Sequence, residues 1–187
     1  MVRSIVLAVA FALLTAGARA DLDFTPFDAF YEVEGIRMAN LNFHDNGKVI
    51  SYSPPPGWKT SGRGRKLELI PPQAVQASAR FEVLPTAPLP ADAAKVKLFR
   101  ELAVLLLPAG ATNVEITEAV LSELRISGRP GLEVSLTYTF FAQQFKMSIL
   151  FLPRERDLPC FSFTAHLADF VPLEKTFRRS LYSLQGL

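Results

Sequence analysis

From Leu132 the chain alternates without a break. Leu132, Val134, Leu136, Tyr138 and Phe140 are apolar, and Glu133, Ser135, Thr137 and Thr139 between them are polar. A period of two predicts a strand with one buried face. The step at 142–144 (Ala-Gln-Gln) reads as a turn, after which Phe145, Met147, Ile149 and Phe151 resume the alternation. Residues 153–159 are charged and bounded by prolines, which predicts a loop. A third strand follows, with Phe161, Phe163, Ala165 and Leu167 on its apolar side and Cys160 and His166 on its polar side. Three strands joined by short links predict an antiparallel meander.

Two stretches switch to helical spacing. Residues 91–107 follow Pro90 and stop at Pro108 and Gly110; Ala94, Leu98, Leu102 and Leu105 form a stripe that Phe99 and Leu106 widen. Residues 169–184 place Phe170, Leu173, Phe177, Leu181 and Leu184 at steps of three and four, with Asp169 as N-cap and Gly186 as a C-terminal stop. Earlier in the chain, 31–43 and 48–53 read as a hairpin turned at Asp45-Asn46-Gly47, where Asn-Gly supplies positive φ angles. Residues 66–70 and 78–84 are further strands. Residues 113–118 and 123–127 add a pair before Gly128-Arg129-Pro130-Gly131. The order strands, helix, strands, helix predicts an α+β fold, an antiparallel β-sheet with helices packed on its faces.

This order resembles the PsbP-like α/β/α sandwich. The residues that carry the resemblance are a strand at 49–53 running into Pro56-Gly57-Trp58, a strand pair, a helix, the Gly-rich turn at 128–131 opening a long meander, and a terminal helix. It covers roughly 48–184. The fold is shared by the PsbP extrinsic protein of photosystem II, a Ran-binding nuclear-transport regulator and many small exported bacterial proteins of unknown role. The resemblance implies a protein that binds partners or assists complexes rather than one that catalyses.

The first twenty residues add a compartment. Arg3, the uncharged apolar run 5–14 and Ala18-Arg19-Ala20 have the layout of a signal peptide cleaved after Ala20, with an apolar run too short to span a membrane. Three regions follow: the leader 1–20, a β-rich extension 21–46 and the PsbP-like domain 47–187. The predicted location is periplasmic or secreted, without a membrane span. No cysteine follows the cleavage site, so no lipid anchor is expected. Cys160 is the single cysteine, which excludes an internal disulfide. The chain carries 20 Lys and Arg against 18 Asp and Glu; Arg3 and Arg19 leave with the leader, and the remainder is formally neutral. Neutrality argues against a nucleic-acid partner.

Candidate chemistry is sparse. Cys160 and His166 on one extended strand stand about 20 Å apart, too far for a nucleophile and its base. The alternative for Cys160 is a small side chain packed beneath a helix. His44 and His166 with one cysteine fall short of a metal-ligand set, and Ser61-Gly62-Arg63-Gly64-Arg65 lacks the ending of a phosphate loop. No catalytic, cofactor or metal site is therefore expected. The same segment is the candidate partner site: Trp58, Lys59, Arg63, Arg65 and Lys66 lie within nine residues, with Gly62 and Gly64 loosening the backbone. Guanidinium groups bind carboxylates or phosphates bidentately, and Trp and Arg anchor interfaces. A solvated hairpin tip with Trp58 in the core is the alternative. The expected function is an exported non-enzymatic binding or accessory protein with a protein partner. The alternative is a carrier holding an apolar or anionic small molecule between sheet and helix, suggested by the 15 phenylalanines.

Overall fold

The alternation across 132–151 produces two paired strands of the main sheet. The computed structural model describes residues 22–33, 36–72, 76–85 and 92–187, with side-chain detail outside 28–39 and 92–95. The expected leader lies outside the described residues. The elements run β1 (Leu22–Val33), β2 (Ile36–Asp45), β3 (Lys48–Tyr52), β4 (Lys59–Arg63), β5 (Lys66–Ile70), β6 (Ser78–Pro85), α1 (Asp92–Leu105), β7 (Thr112–Ile126), β8 (Arg129–Phe140), β9 (Gln143–Phe151), β10 (Asp157–His166) and α2 (Phe170–Leu181). This is an α+β arrangement. β1, β2 and β3 form a three-stranded sheet, and the other strands form a seven-stranded antiparallel sheet in the order β4-β5-β6-β10-β9-β8-β7. The chain builds inward from one edge to β6. It then passes through α1 to the opposite edge, and the meander β7 to β10 returns until β10 pairs with β6, Phe161 opposite Phe81.

Each face of the large sheet has its own core. On one face, Phe81, Phe161 and Phe163 meet Phe24, Phe43 and Tyr52 of the small sheet and Phe177, Leu181 and Leu184 of the C-terminal segment. The rings interlock: Phe24 packs edge-on against Phe43 and Phe81, and Phe81 against Phe161. Residues on both sides of position 46 thus share one core. The other face carries Val134, Leu136, Ile149, Phe151, Leu158 and Cys160 under Phe99 and Ala103 of α1.

Several expectations change. Residues 112–126 form one long strand with three register irregularities, all paired to β8, so 113–118 and 123–127 do not pair with each other. The β8–β9 turn is Phe141-Ala142, one residue earlier than expected, and Gln143 and Gln144 belong to β9. β10 resumes at Asp157, inside the proline-bounded loop, because Pro159 pairs opposite Val83 and its carbonyl accepts from Leu152 N. The second side of β10 is not a polar face: Cys160 is 1% exposed and Ser162 7%. On α1 the buried residues are Phe99 and Ala103, while Leu105 is 78% exposed. Asp169 precedes α2 but its side chain makes no capping hydrogen bond. Gly186 lies past the end of α2, in a tail that Ser51 and Gln185 bind to β3 through reciprocal backbone hydrogen bonds.

One ion-pair cluster ties the small sheet to the meander. Arg154, in the β9–β10 loop, donates from Nη1 to Asp45 Oδ2 at 2.5 Å and from Nε to Asp157 Oδ1 at 2.5 Å. All three side chains are at most 11% exposed. Burial opposes the Arg154 charge, but the hydrogen bonds to Asp157 and Asp45 outweigh it and hold the guanidinium protonated. Arg154→Ala leaves two buried carboxylates without their cation and is expected to cost about 3–5 kcal/mol in urea unfolding. Exposed Arg63→Ala is expected to stay within about 0.5 kcal/mol. Equal effects from the two would show that the cluster does not hold the layers together.

Candidate functional site

The five residues of the basic segment are dispersed by the strands they occupy. Trp58 is buried in the aromatic core, stacked on Phe177 at 6.3 Å and tilted against Phe163 at 6.1 Å. Arg65 Nε donates to Val83 O at 3.0 Å, and Lys66 pairs with Glu82 at 2.8 Å, so both side chains are committed to β6. Lys59 and Arg63 are exposed at opposite ends of β4, about 13 Å apart. The glycines serve close approach: a Cβ on Gly62 (φ +115°) would stand 2.5 Å from Lys66 O. Gly64 is fixed by β1, accepting from Phe24 N at 2.6 Å and donating to Thr25 Oγ1 at 2.8 Å.

The histidines also go separate ways. His44 stacks on Phe27 at 4.5 Å in the small sheet, and His166 stacks on Phe145 at 4.3 Å in the large one. Among the described residues no group of three His, Cys, Asp or Glu side chains could hold a metal. No helix among them is long and apolar enough to cross a membrane.

What the structure does assemble is a cleft of about 590 Å³ on the α1 side of the large sheet. That size lies in the range of small-molecule sites. α1 packs on β7 and β8, so the strands toward the other edge form the open floor. The lining changes character from strand to strand. Glu68 on β5 and Arg80 on β6 form a loose pair at 3.7 Å at one end. Ser162 and Thr164 of β10 place hydroxyls in the middle. Met147 and Phe145 of β9 and Tyr138 and Phe140 of β8 form the far end, roofed by Leu106 and Leu107 after α1. Four strand spacings carry this gradient over roughly 19 Å. Tyr138 Oη and Thr164 Oγ1 are hydrogen-bonded at 2.9 Å, and Thr164 Oγ1 also reaches Lys146 O at 3.3 Å. Burial raises the Tyr138 pKa, so its phenol stays neutral. Phe141, 84% exposed, stands at the mouth.

The sequence reading missed this cleft because its residues come from five strands and the segment after α1. The alternation of β8 and β9 announced a buried face but not that α1 would cover only part of it. A second concavity, of about 560 Å³ on the α2 side, has Arg178, Glu133, Glu174 and Lys146 among its lining residues, all four engaged already. There Arg178 pairs with Glu133 and with Glu174 at 3.8 Å, and Lys146 lies over the Phe170 ring at 5.1 Å.

No family model and no curated protein matches the chain. Among solved structures it is similar to a protein from Bacteroides thetaiotaomicron at TM-score 0.48 and 10% identity, over 74% of this chain and 45% of that one. It is also similar to a protein of unknown function from Pseudomonas aeruginosa at TM-score 0.48 and 13% identity, over 86% of this chain and 97% of that one. The chain thus spans less than half the length of the first.

Cys160 is closed off from both the cleft and solvent. Burial, and secondarily the negative charge of Glu82, push its thiol pKa up. An aromatic disulfide reagent at pH 8 is expected to leave the native protein unmodified and to titrate one thiol in urea. Rapid reaction of the folded protein would contradict this placement.

Proposed function

We propose that the protein is a non-enzymatic binding protein that carries a small amphiphile, with an apolar body and an anionic end, in the cleft between the large sheet and the end of α1. The observation that carries this reading is the gradient along the cleft floor, from Glu68–Arg80 through hydroxyls to Phe145 and Phe140. A wholly apolar molecule would leave the Arg80 end unused, and a wholly polar one the aromatic end. The lining residues include neither histidine nor cysteine, and the one lining carboxylate, Glu68, is paired with Arg80 rather than with a hydroxyl. Placement of α1 and α2 on opposite faces of the large sheet supports a PsbP-like α/β/α architecture as part of the same proposal. With the leader-like first twenty residues, it makes the protein an exported carrier rather than a docking module acting through Lys59 and Arg63.

The test is titration with dansyl-undecanoate, a fluorescent amphiphilic carboxylate, together with native mass spectrometry of freshly purified protein. Saturable binding of one probe per chain is expected. Arg80→Ala should weaken the carboxylate about tenfold and leave its methyl ester nearly unaffected, since only the charged end loses a partner. Neither saturable binding nor retained mass would end the carrier reading. Equal loss for acid and ester would remove Arg80 from the head-group end.

A further inference from the structure

Among the described residues, three hairpins close with two-residue turns in which both residues have positive φ, the backbone that matches the right-handed twist of the paired strands. Asn46 (φ 52°) and Gly47 (φ 76°) join β2 to β3, and Ser127 (φ 48°) and Gly128 (φ 77°) join β7 to β8. Both turns end in glycine, which adopts such angles without steric cost, and the first has the preferred Asn-Gly pair. The third joins β8 to β9 and consists of Phe141 (φ 46°) and Ala142 (φ 60°). Neither residue is suited to the left-handed region.

The side chain at this turn is as ill placed as the backbone. Phe141 is 84% exposed, the highest exposure of any large apolar side chain among the described residues. Its ring meets Phe140 at 4.3 Å and contributes to neither core cluster. A strained backbone that presents a phenyl ring to water stabilises nothing in the fold. Sites of this kind mark function when something else on the surface uses them. Here the neighbour is specific: Phe141 stands at the aromatic end of the cleft, beside Phe140 and across from Leu106 and Leu107.

We infer that Phe141 is the cover of the cleft, a ring that folds over the apolar end of the bound amphiphile and sets how bulky that end can be. This inference rests on the carrier reading and adds to it a residue that determines affinity and specificity. Its ligand therefore has an alkyl or aromatic terminus directed at the β8–β9 turn and its anionic end at Arg80.

The experiment compares wild type with Phe141→Asn/Ala142→Gly, which installs the relaxed turn pair, and with Phe141→Leu, which keeps an apolar cover. Each is measured for dansyl-undecanoate affinity and for thermal unfolding without ligand. The double variant is expected to melt higher by about 2–6 °C and to bind about tenfold more weakly. Phe141→Leu is expected to retain most of the affinity. A double variant that is more stable and binds as wild type overturns the inference and leaves the carrier reading standing. A double variant that melts lower also overturns it, since the turn would then serve the fold. Absence of probe binding by wild type, together with no retained mass in native mass spectrometry, overturns both.

Discussion

A seven-stranded sheet has two faces to remove from water, and this chain covers them unequally. One face receives a second sheet and a helix; the other receives a single helix. α1 has 14 residues, about 21 Å of length and some 10 Å of width, against roughly 29 Å across seven strands. It lies on β7 and β8 and cannot shield β5 and β6 as well. The side chains follow from that shortfall. Under the helix the face is Val134, Leu136, Ile149 and Phe151; beyond it, β5 and β6 turn to the ion pairs Lys66–Glu82 and Glu68–Arg80. The cleft is the border between these regimes, where aromatic residues and hydroxyls meet. Its amphiphilic character is the consequence of a partly covered sheet.

The opposite face shows what full cover requires. Phe81 touches rings from β1, β3, β10 and α2, so one residue senses every layer. The polar ends of these layers are closed by directed bonds: Tyr52 Oη to Ser180 Oγ at 2.7 Å, Ser53 N to Ser183 Oγ at 2.9 Å, and the Arg154 cluster at the other side. Aromatic burial makes the packing strong, and the polar contacts make it specific in register. Seven of the fifteen phenylalanines that suggested a ligand site from composition are spent here.

Legibility in the sequence tracks how many faces an element buries. β8, with one side under α1 and polar residues on much of the other, shows its alternation openly, and α2 shows a clean stripe because only Phe170, Phe177 and Leu181 of its residues are buried. β10 is buried on both faces, so alternation told less, and Ser162 and Cys160 read as a polar side they do not form. α1 carries apolar residues around its circumference (Val96, Val104 and Leu105 are exposed), and periodicity could not choose between its faces. The basic segment failed for a different reason. Nine residues that look clustered along the chain become a strand and a turn, and pleating sends successive side chains to opposite sides. Trp58 went inward, Arg65 and Lys66 along β6, and the proximity was linear only.

The misread turn is the instructive error. Local rules placed it at Ala142-Gln143-Gln144 because nothing in turn chemistry recommends Phe-Ala for a pair of left-handed residues. Among the described residues the chain overrules those rules at one of three comparable turns, and that turn borders the cleft. A fold under selection for stability alone has no reason to keep such a pair, since Asn-Gly closes an equivalent hairpin elsewhere in the same molecule. Conflict between local preference and structure is expected where binding competes with stability. The departure at Phe141 and the uncovered half of the sheet are thus two independent signs, one from backbone angles and one from layer geometry, that converge on the same cleft from its two ends.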